Sequence, residues 1–336
     1  MTLALVLLIA VAVVFDFLNG FHDSSNIVAT MISSRAFTGR QALAITTVCE
    51  TIGPFLFGVA VATTIGQEVV SGETVTLAVV ISALLGAVVW NILTWWLGIP
   101  SSSSHALIGG IIGAVVVEHG FSPIKLAGME KVLIALFCSP IIGLVVGFIV
   151  QRLILHTLVG LKAGPRANRF FRVGQFFTAC GLALSHGTND AQKTMGMITM
   201  GLVATGFQKE FSVPWWVIAI SASAIGLGTA TGGWRLIKTL GFRLYKIWPI
   251  HAFSTQLSSG MVILTAALLG GPVSTTQVVS GVILGAGASE NVRKIRWKLA
   301  RNIVIAWFLT IPAAGLVAAG AYFIIKFFLP LPGGPQ

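Results

Sequence analysis

The chain has 336 residues, of which 55% are hydrophobic and 9% charged, and its formal net charge is +11. A typical soluble domain carries about 25% charged residues, so this composition excludes a water-soluble globule, and the hydrophobicity excludes a disordered chain. The mean hydropathy of +0.92 and the 38 glycines are typical of a polytopic helical membrane protein. The positive charge does not indicate a nucleic-acid partner, because the basic residues lie in short loops between apolar segments.

Ten apolar segments follow one another, each long enough to cross a hydrocarbon core of about 30 Å or to enter it and turn back. They fall at about 3–34, 42–66, 74–98, 101–117, 131–152, 173–206, 213–233, 248–270, 273–289 and 302–329. The segments that start at 101 and 273 are short and begin with glycine, proline and serine, which predicts half-helices or re-entrant hairpins. The predicted fold is therefore an all-α polytopic membrane protein with broken or re-entrant helices near the midplane.

Basic residues concentrate in the loops 152–172, 235–246 and 293–301, which predicts that these loops are cytoplasmic. The loop 67–73 is acidic and the first 34 residues contain no Lys or Arg, so both fit the outer side. Counting between these anchors predicts ten passes through the cell membrane with both termini outside.

The chain also repeats itself. Gly20 and Asp23 match Gly187 and Asp190 at an offset of 167 residues, and the run 100–105 matches 272–277 at an offset of 172. Each copy holds five passes, and an odd number places the second copy upside down. Inverted repeats with interrupted segments are typical of secondary transporters, whose substrate binds near the midplane. The predicted organisation is a first repeat at 1–152, a basic linker at 153–172, a second repeat at 173–329 and a tail at 330–336.

Two duplicated carboxylates, Asp23 and Asp190, lie inside apolar segments, where an ionised Asp costs at least about 2.5–3.5 kcal/mol. Either could be structural, capping a helix or pairing with Lys193. Carboxylates beside amide and hydroxyl oxygens, however, favour a hard cation such as Na⁺. For Glu50 a structural role fits as well as a cation role. The predicted sodium ligands are Asp23, Asp190, Asn189, Ser24, Thr188, Glu50 and Gln256.

Two matched hydroxyl runs, 101–104 and 274–276, follow prolines that suit the start of a helix. Hydroxyls, free backbone N–H groups and the positive end of the helix dipole together suit an oxyanion, although the hydroxyls could instead cap or pack the helices. The predicted anion ligands are Ser102, Ser103, Ser104, Ser274, Thr275, Thr276, Asn26, Lys193, Gln277 and His105. Carboxylates repel an oxyanion, so the sequence predicts an anion carried together with cations.

These motifs resemble the Pit-type inorganic phosphate transporter family, which includes sodium–phosphate symporters. The blocks 187–190 and 272–277 match its pattern well, and 20–23 and 100–105 match it more loosely. The resemblance implies phosphate as the anion, sodium symport by alternating access, and a homodimer with a moving transport part and a fixed scaffold. It implies no enzymatic activity and no cofactor besides the transported ions, which are phosphate and either Na⁺ or H⁺.

Three residues depart from the family pattern: His22 and Lys193 stand where Asn is usual, and Gln277 replaces a His. These departures leave three alternatives open: a permease for sulfate or another tetrahedral oxyanion, proton-coupled symport, and metal-phosphate symport. An intramembrane hydrolase is disfavoured, because the hydroxyls come in symmetric clusters and His105 is matched by Gln277. A channel would be revealed by flux far above carrier rates.

Overall fold

The computed structural model describes residues 3–72, 75–160, 165–243 and 245–328. Within these residues the regular secondary structure is helical, apart from one isolated antiparallel bridge between Val70 and Ile124. The helices are α1 Leu3–Ser33, α2 Gly39–Ile52, α3 Ala60–Thr63, α4 Leu77–Leu97, α5 Ser103–His119, α6 Leu126–Gly160, α7 Pro165–Ala204, α8 Trp215–Thr231, α9 Trp234–Lys238, α10 Pro249–Leu268, α11 Thr275–Asn291 and α12 Trp297–Phe328. The predicted all-α polytopic fold is confirmed.

By length and apolarity, four of the described helices could each cross a membrane: Leu3–Ser33, Leu77–Leu97, Leu126–Leu158 and Trp297–Phe327. Two bent pairs of helices would add two further spans if each is counted as one span: Gly39–Phe55 with Ala60–Glu68, at an angle of 67°, and Trp215–Thr231 with Trp234–Phe242, at 59°. The second bend lies at Gly232, whose φ of 71° suits glycine. The first bent pair corresponds to the segment predicted at 42–66, so hydropathy located that segment but not its break. The second bend falls at the end of the segment predicted at 213–233, and the helical residues beyond it occupy part of the predicted basic loop 235–246. The count of ten passes stays a prediction.

The two half-helices that the sequence predicts are α5 and α11, with 17 residues each. Each packs against the last long helix of the other half of the chain, α5 on α12 and α11 on α6. Glycines permit this close approach, because an added Cβ at Gly113 would lie 2.1 Å from the carbonyl oxygen of Gly315, and one at Gly285 would lie 2.0 Å from that of Leu144. The two halves are thus interlocked rather than side by side.

The long helices α1 and α7 run antiparallel through the centre. Leu8 of α1 touches Gly201 of α7, and, further along, Asn19 meets Asp190. Still further along, ligand atoms of Asp23 and His186 lie within 4.8 Å of each other. In each of these contacts the two residue numbers add up to nearly the same value, as expected for antiparallel helices. This register brings both Asp motifs to the same depth.

The two ends of the molecule differ in charge. At one end, Arg35 shares a surface recess with Arg172, Lys246 and Arg296, which come from the three basic loops. At the other end, where α1 begins, a recess beside the C-terminal part of α7 has a mixed charged lining: Glu68, Glu210, Lys125, Lys131 and Lys209. This separation fits the prediction that the basic loops share one face, while the orientation of that face in the membrane stays a prediction.

Candidate functional site

Asp23 is the centre of a cluster of hydroxyl groups contributed by both half-helices. Its carboxylate accepts hydrogen bonds from Ser103 Oγ at 3.3 Å, Thr275 Oγ1 at 3.3 Å and Thr276 Oγ1 at 2.9 Å. Thr275 Oγ1 also lies 3.1 Å from Asp190 Oδ2. Both carboxylates are buried. The structure therefore joins the two motif pairs that the sequence analysis singled out into one site.

The N-termini of α5 and α11 meet at this cluster. Ser104 Oγ donates to the carbonyl oxygen of Val273 at 3.0 Å, and the side-chain nitrogen Nε2 of Gln277 lies 3.3 Å from His105 Nε2. Helix N-termini carry partial positive charge, and both of these lie at Asp23, which accepts hydrogen bonds from Ser103 of α5 and from Thr275 and Thr276 of α11.

The hydroxyl that immediately precedes each half-helix has a structural contact. Ser102 Oγ accepts from the backbone N–H of His105 at 3.1 Å, and Ser274 Oγ accepts from that of Gln277 at 3.3 Å. Both are N-cap bonds, which satisfy an otherwise free donor of the first helical turn. Of the predicted anion ligands, Ser102 and Ser274 therefore cap helices, whereas Ser103, Thr275 and Thr276 face the carboxylates.

Asp190 has a different set of partners. Lys193 Nζ lies 2.5 Å from its Oδ1, and His186 Nε2 lies 3.5 Å from its Oδ2. The other ring nitrogen of His186, Nδ1, lies 2.9 Å from Glu50 Oε1, and Glu50 also accepts a short hydrogen bond from Thr229. All three ion-pair contacts are completely buried. Lys193, predicted as an anion ligand, is thus a partner of Asp190, and His186 links Glu50 to the centre.

Three predicted sodium ligands point elsewhere. Gln256 bonds Thr30 at 2.9 Å and Thr178 at 2.7 Å, in a separate polar contact between α1, α7 and α10. Ser24 Oγ donates to the carbonyl oxygen of Phe21 and accepts from the N–H of Gly233, while Thr188 Oγ1 donates to the carbonyl oxygen of Leu184 on its own helix.

Two predicted amides lie at the edge of the site. Asn26 Nδ2 donates to Thr276 Oγ1 at 3.2 Å, and Asn189 Nδ2 donates to the carbonyl oxygen of Gly271 at 3.2 Å. Asn26 therefore holds one of the hydroxyls that contact Asp23. Asn189 instead fixes the loop before α11, and its side-chain oxygen Oδ1 is buried without a hydrogen-bond partner among the described residues.

Three residues near the centre were not predicted as site residues. His186 joins Asp23 and Asp190 in a group whose ligand atoms all lie within 4.8 Å of one another. Asn19 Nδ2 donates to Asp190 Oδ2 at 3.4 Å, and Asp16 is fully buried on the same helix. The spacing of 16, 19 and 23 on α1, and of 186 and 190 on α7, places these side chains on one helical face and would have identified them.

The chain is similar to known proteins over most of its length. Residues 19–318 match the model of the PHO4 phosphate transporter family. A probable low-affinity inorganic phosphate transporter of Rhizobium meliloti is 44% identical over 95% of this chain and 96% of its own length. A protein of Bacillus subtilis with the same description is 40% identical over 96% and 97%.

Among solved structures, one described as the sodium-dependent phosphate transporter superposes with a TM-score of 0.87 at 22% identity, covering 98% of this chain and 100% of that one. At this identity the likeness concerns the fold. The residues 19–318 that match the family model include both Asp motifs and both half-helices. The chain therefore belongs to the phosphate transporter family, whose members are transporters and not enzymes.

Proposed function

We propose that this protein carries inorganic phosphate across the cell membrane together with sodium ions, by alternating access and as a homodimer. One observation carries the proposal: the Thr275 hydroxyl, at the N-terminus of a half-helix, lies 3.3 Å from Asp23 and 3.1 Å from Asp190. A donor suited to an oxyanion thus stands between two carboxylates suited to a cation.

The geometry supplies a reason for strict coupling. A hydroxyl has one hydrogen, so Ser103, Thr275 and Thr276 cannot donate to phosphate and to a carboxylate at the same time. When phosphate takes these donors, Asp23 loses its hydrogen bonds in a buried place, which is costly unless a cation replaces them. A sodium ion at Asp23 and Asp190 neutralises the carboxylates and frees the hydroxyls for the anion. Each ion therefore promotes the binding of the other.

Phosphate suits this site better than sulfate. Phosphate at neutral pH keeps a proton and can donate a hydrogen bond to an acceptor such as Asp23, whereas sulfate cannot. Family membership favours the same anion. Sulfate transport remains an outcome of the test, measured as competition by sulfate against phosphate uptake.

The experiment is uptake of radiolabelled phosphate into liposomes that contain the purified protein, with sodium, potassium, pH and divalent-metal conditions varied separately. We expect uptake that an inward sodium gradient drives and a potassium gradient does not. Asp23→Asn and Asp190→Asn keep an oxygen ligand but remove the charge, and we expect both to abolish sodium-driven uptake while the protein still inserts.

The matched control is Glu118→Gln, a carboxylate at the end of α5 whose partner is Thr76 at 2.7 Å, and its uptake should stay near that of the unaltered protein. Wild-type sodium dependence in both Asp variants would contradict the cation assignment. Uptake that follows the pH gradient alone, or that requires a divalent metal, would replace sodium coupling by proton-coupled or metal-phosphate symport.

A further inference from the structure

A recess at the end of the molecule that carries the basic loops is lined by four cationic side chains, and we call it the basic recess. Arg35 follows the end of α1, Arg172 lies near the start of α7, Lys246 precedes α10 and Arg296 precedes α12. Its volume of about 670 Å³ is within the range of about 300–1,000 Å³ that small-molecule sites occupy. Among the described residues, no Asp or Glu lines it.

The four cationic groups of the basic recess have no carboxylate partner in the part of the chain that the structure describes, where every ion pair within 4.0 Å involves other residues. The carboxylate of Glu290 comes near through Tyr245, which lines the recess, but its two oxygens bond Tyr245 at 2.9 Å and His251 at 2.6 Å. Four like charges around one recess repel one another, and a bound anion relieves that repulsion.

The backbone of Arg35 gives a second reason to assign a function to this recess. Its φ is 59°, and among the described residues it is the one residue other than glycine with a positive φ. Its N–H donates to the carbonyl oxygen of Ile32 at 3.0 Å and so closes the last turn of α1. Glycine is the usual residue at such a helix end, because it has no Cβ. An arginine is strained there, so its side chain is what a function at this position uses.

The lining of the basic recess suits a phosphate group attached to an apolar body. Three of the four cations are arginines, whose guanidinium groups bind phosphate through paired N–H donors. Phe242 and Trp248 also line the recess, and each is more than half exposed. Exposed aromatic side chains are typical of the membrane interface, where they contact lipid. Free phosphate is polar on all sides and gains nothing from these rings, whereas the chains of a phospholipid can lie along them.

We infer that the basic recess binds the headgroup of an anionic phospholipid. Basic pockets on the cytoplasmic side of a helical bundle suit such headgroups, and the basic loops are predicted to be cytoplasmic. The inference does not depend on the proposed coupling, because the recess shares no residue with the Asp23–Asp190 centre. A headgroup in the recess links the end of α1 to the start of α7, the two helices that carry these carboxylates.

The test is native mass spectrometry of the purified full-length protein in detergent, with equal amounts of phosphatidylglycerol and phosphatidylcholine added and the retained lipids counted per chain. Both lipids contain a phosphate, but phosphatidylcholine has no net charge, so we expect phosphatidylglycerol to be retained in preference. Arg172→Gln and Arg35→Gly should each weaken its retention about fivefold, the contribution of one basic residue near an anionic lipid.

Two features of the variants make the result specific. Arg35→Gly removes the charge and places the favoured residue at a positive φ, so a loss of lipid does not come from a weakened fold. The matched control is Arg169→Gln, which removes an exposed arginine one turn earlier on α7 that does not line the recess. Its retention of phosphatidylglycerol should equal that of the unaltered protein.

Three results would overturn the inference. The first is equal retention of the two lipids, or unchanged retention in both Arg35→Gly and Arg172→Gln. The second is an equal loss in Arg169→Gln, because the overall charge of this end of the molecule then explains the binding. The third comes from adding excess inorganic phosphate at matched ionic strength. We expect phosphatidylglycerol to stay bound, and its complete displacement would show that the basic recess is a site for free phosphate instead.

Discussion

Replacing Thr275 by valine tests whether the half-helix hydroxyls bind phosphate. Valine keeps the branched shape and removes the hydroxyl that lies 3.3 Å from Asp23 Oδ2 and 3.1 Å from Asp190 Oδ2. A buried hydrogen bond to a charged group contributes about 1.5–3 kcal/mol. If phosphate accepts that bond, Thr275→Val should weaken phosphate binding by about 10- to 150-fold, because about 1.4 kcal/mol is a factor of ten.

The sodium concentration decides how much of this loss appears. Without sodium, the Thr275 hydroxyl of the phosphate-free protein donates to a carboxylate. Thr275→Val then removes a hydrogen bond from the phosphate-free protein as well as from the phosphate complex, and the two losses partly cancel in the phosphate affinity. At saturating sodium the cation serves the carboxylates, and the full loss falls on the phosphate complex. We therefore expect the effect of Thr275→Val on phosphate affinity to grow with sodium concentration, measured by calorimetry or by uptake at a series of fixed sodium concentrations.

Three further variants complete this experiment. Ser103→Ala removes the corresponding hydroxyl of α5, and the double variant with Thr275→Val should be non-additive, because both donors serve one ligand. Ser280→Ala removes a buried, unpaired hydroxyl on α11 and should leave affinity unchanged. Ser274→Ala removes an N-cap and should lower stability by about 1 kcal/mol with little effect on affinity. The reasoning is refuted if Thr275→Val only lowers the melting temperature, since phosphate must then bind elsewhere.

Three other predictions concern topology and packing. Single cysteines at Glu68 and Arg172 should react with an impermeant reagent from opposite sides of the membrane, and reaction from one side would contradict the assigned orientation of the loops. Gly187→Ala, whose new Cβ would lie 2.3 Å from the carbonyl oxygen of Glu50, should lower the melting temperature through overpacking of about 1–3 kcal/mol, whereas Gly181→Ala, with no atom within 4 Å, should not. Lys193→Met should destabilise the protein by about 3–5 kcal/mol by leaving a buried charge unpaired. The double variant that also neutralises the partner carboxylate should regain thermal stability, and equal melting temperatures of the single and double variants would show that the pair is not coupled.

Hydropathy and duplication were sufficient to predict the fold class and the two motif pairs. The half-helices could be located because α5 and α11 are short apolar stretches that begin after a proline and a hydroxyl run. The packing of each half-helix on the last helix of the other half could not be predicted, because hydropathy gives the burial of a segment but not its neighbour. The contacts of Gln256 with Thr30 and Thr178 could not be predicted for a related reason, since an apolar segment does not reveal the depth or direction of one polar side chain.

The search for duplicated residues also missed Asp16. Asp16 has Ala183 as its counterpart at the offset of 167 that relates the two Asp motifs, so a search for matched pairs passes over it. The same reasoning missed His186, whose counterpart is Asn19. In the structure these two unmatched residues contact the same carboxylate, Asp190, at 3.5 Å and 3.4 Å. Positions at which the two copies differ therefore carry as much information about the site as positions at which they agree.

The largest such difference concerns charge. Lys193 and Asn26 occupy equivalent positions of the two copies, and their partners differ: the ammonium group is 2.5 Å from Asp190, whereas the amide donates to Thr276. Asp190 thus has a cationic side chain, that of Lys193, on its own helix, while the contacts of Asp23 are hydroxyl groups and His22 Nδ1 at 2.8 Å. A mobile cation is therefore needed more at Asp23. We expect Asp23→Asn to abolish the sodium dependence of phosphate binding, and Lys193→Asn to raise the number of sodium ions bound per phosphate by one. Direct measurement of bound ²²Na⁺ per chain checks both, and an unchanged sodium count in Lys193→Asn would show that the ammonium group does not take the place of a coupling ion.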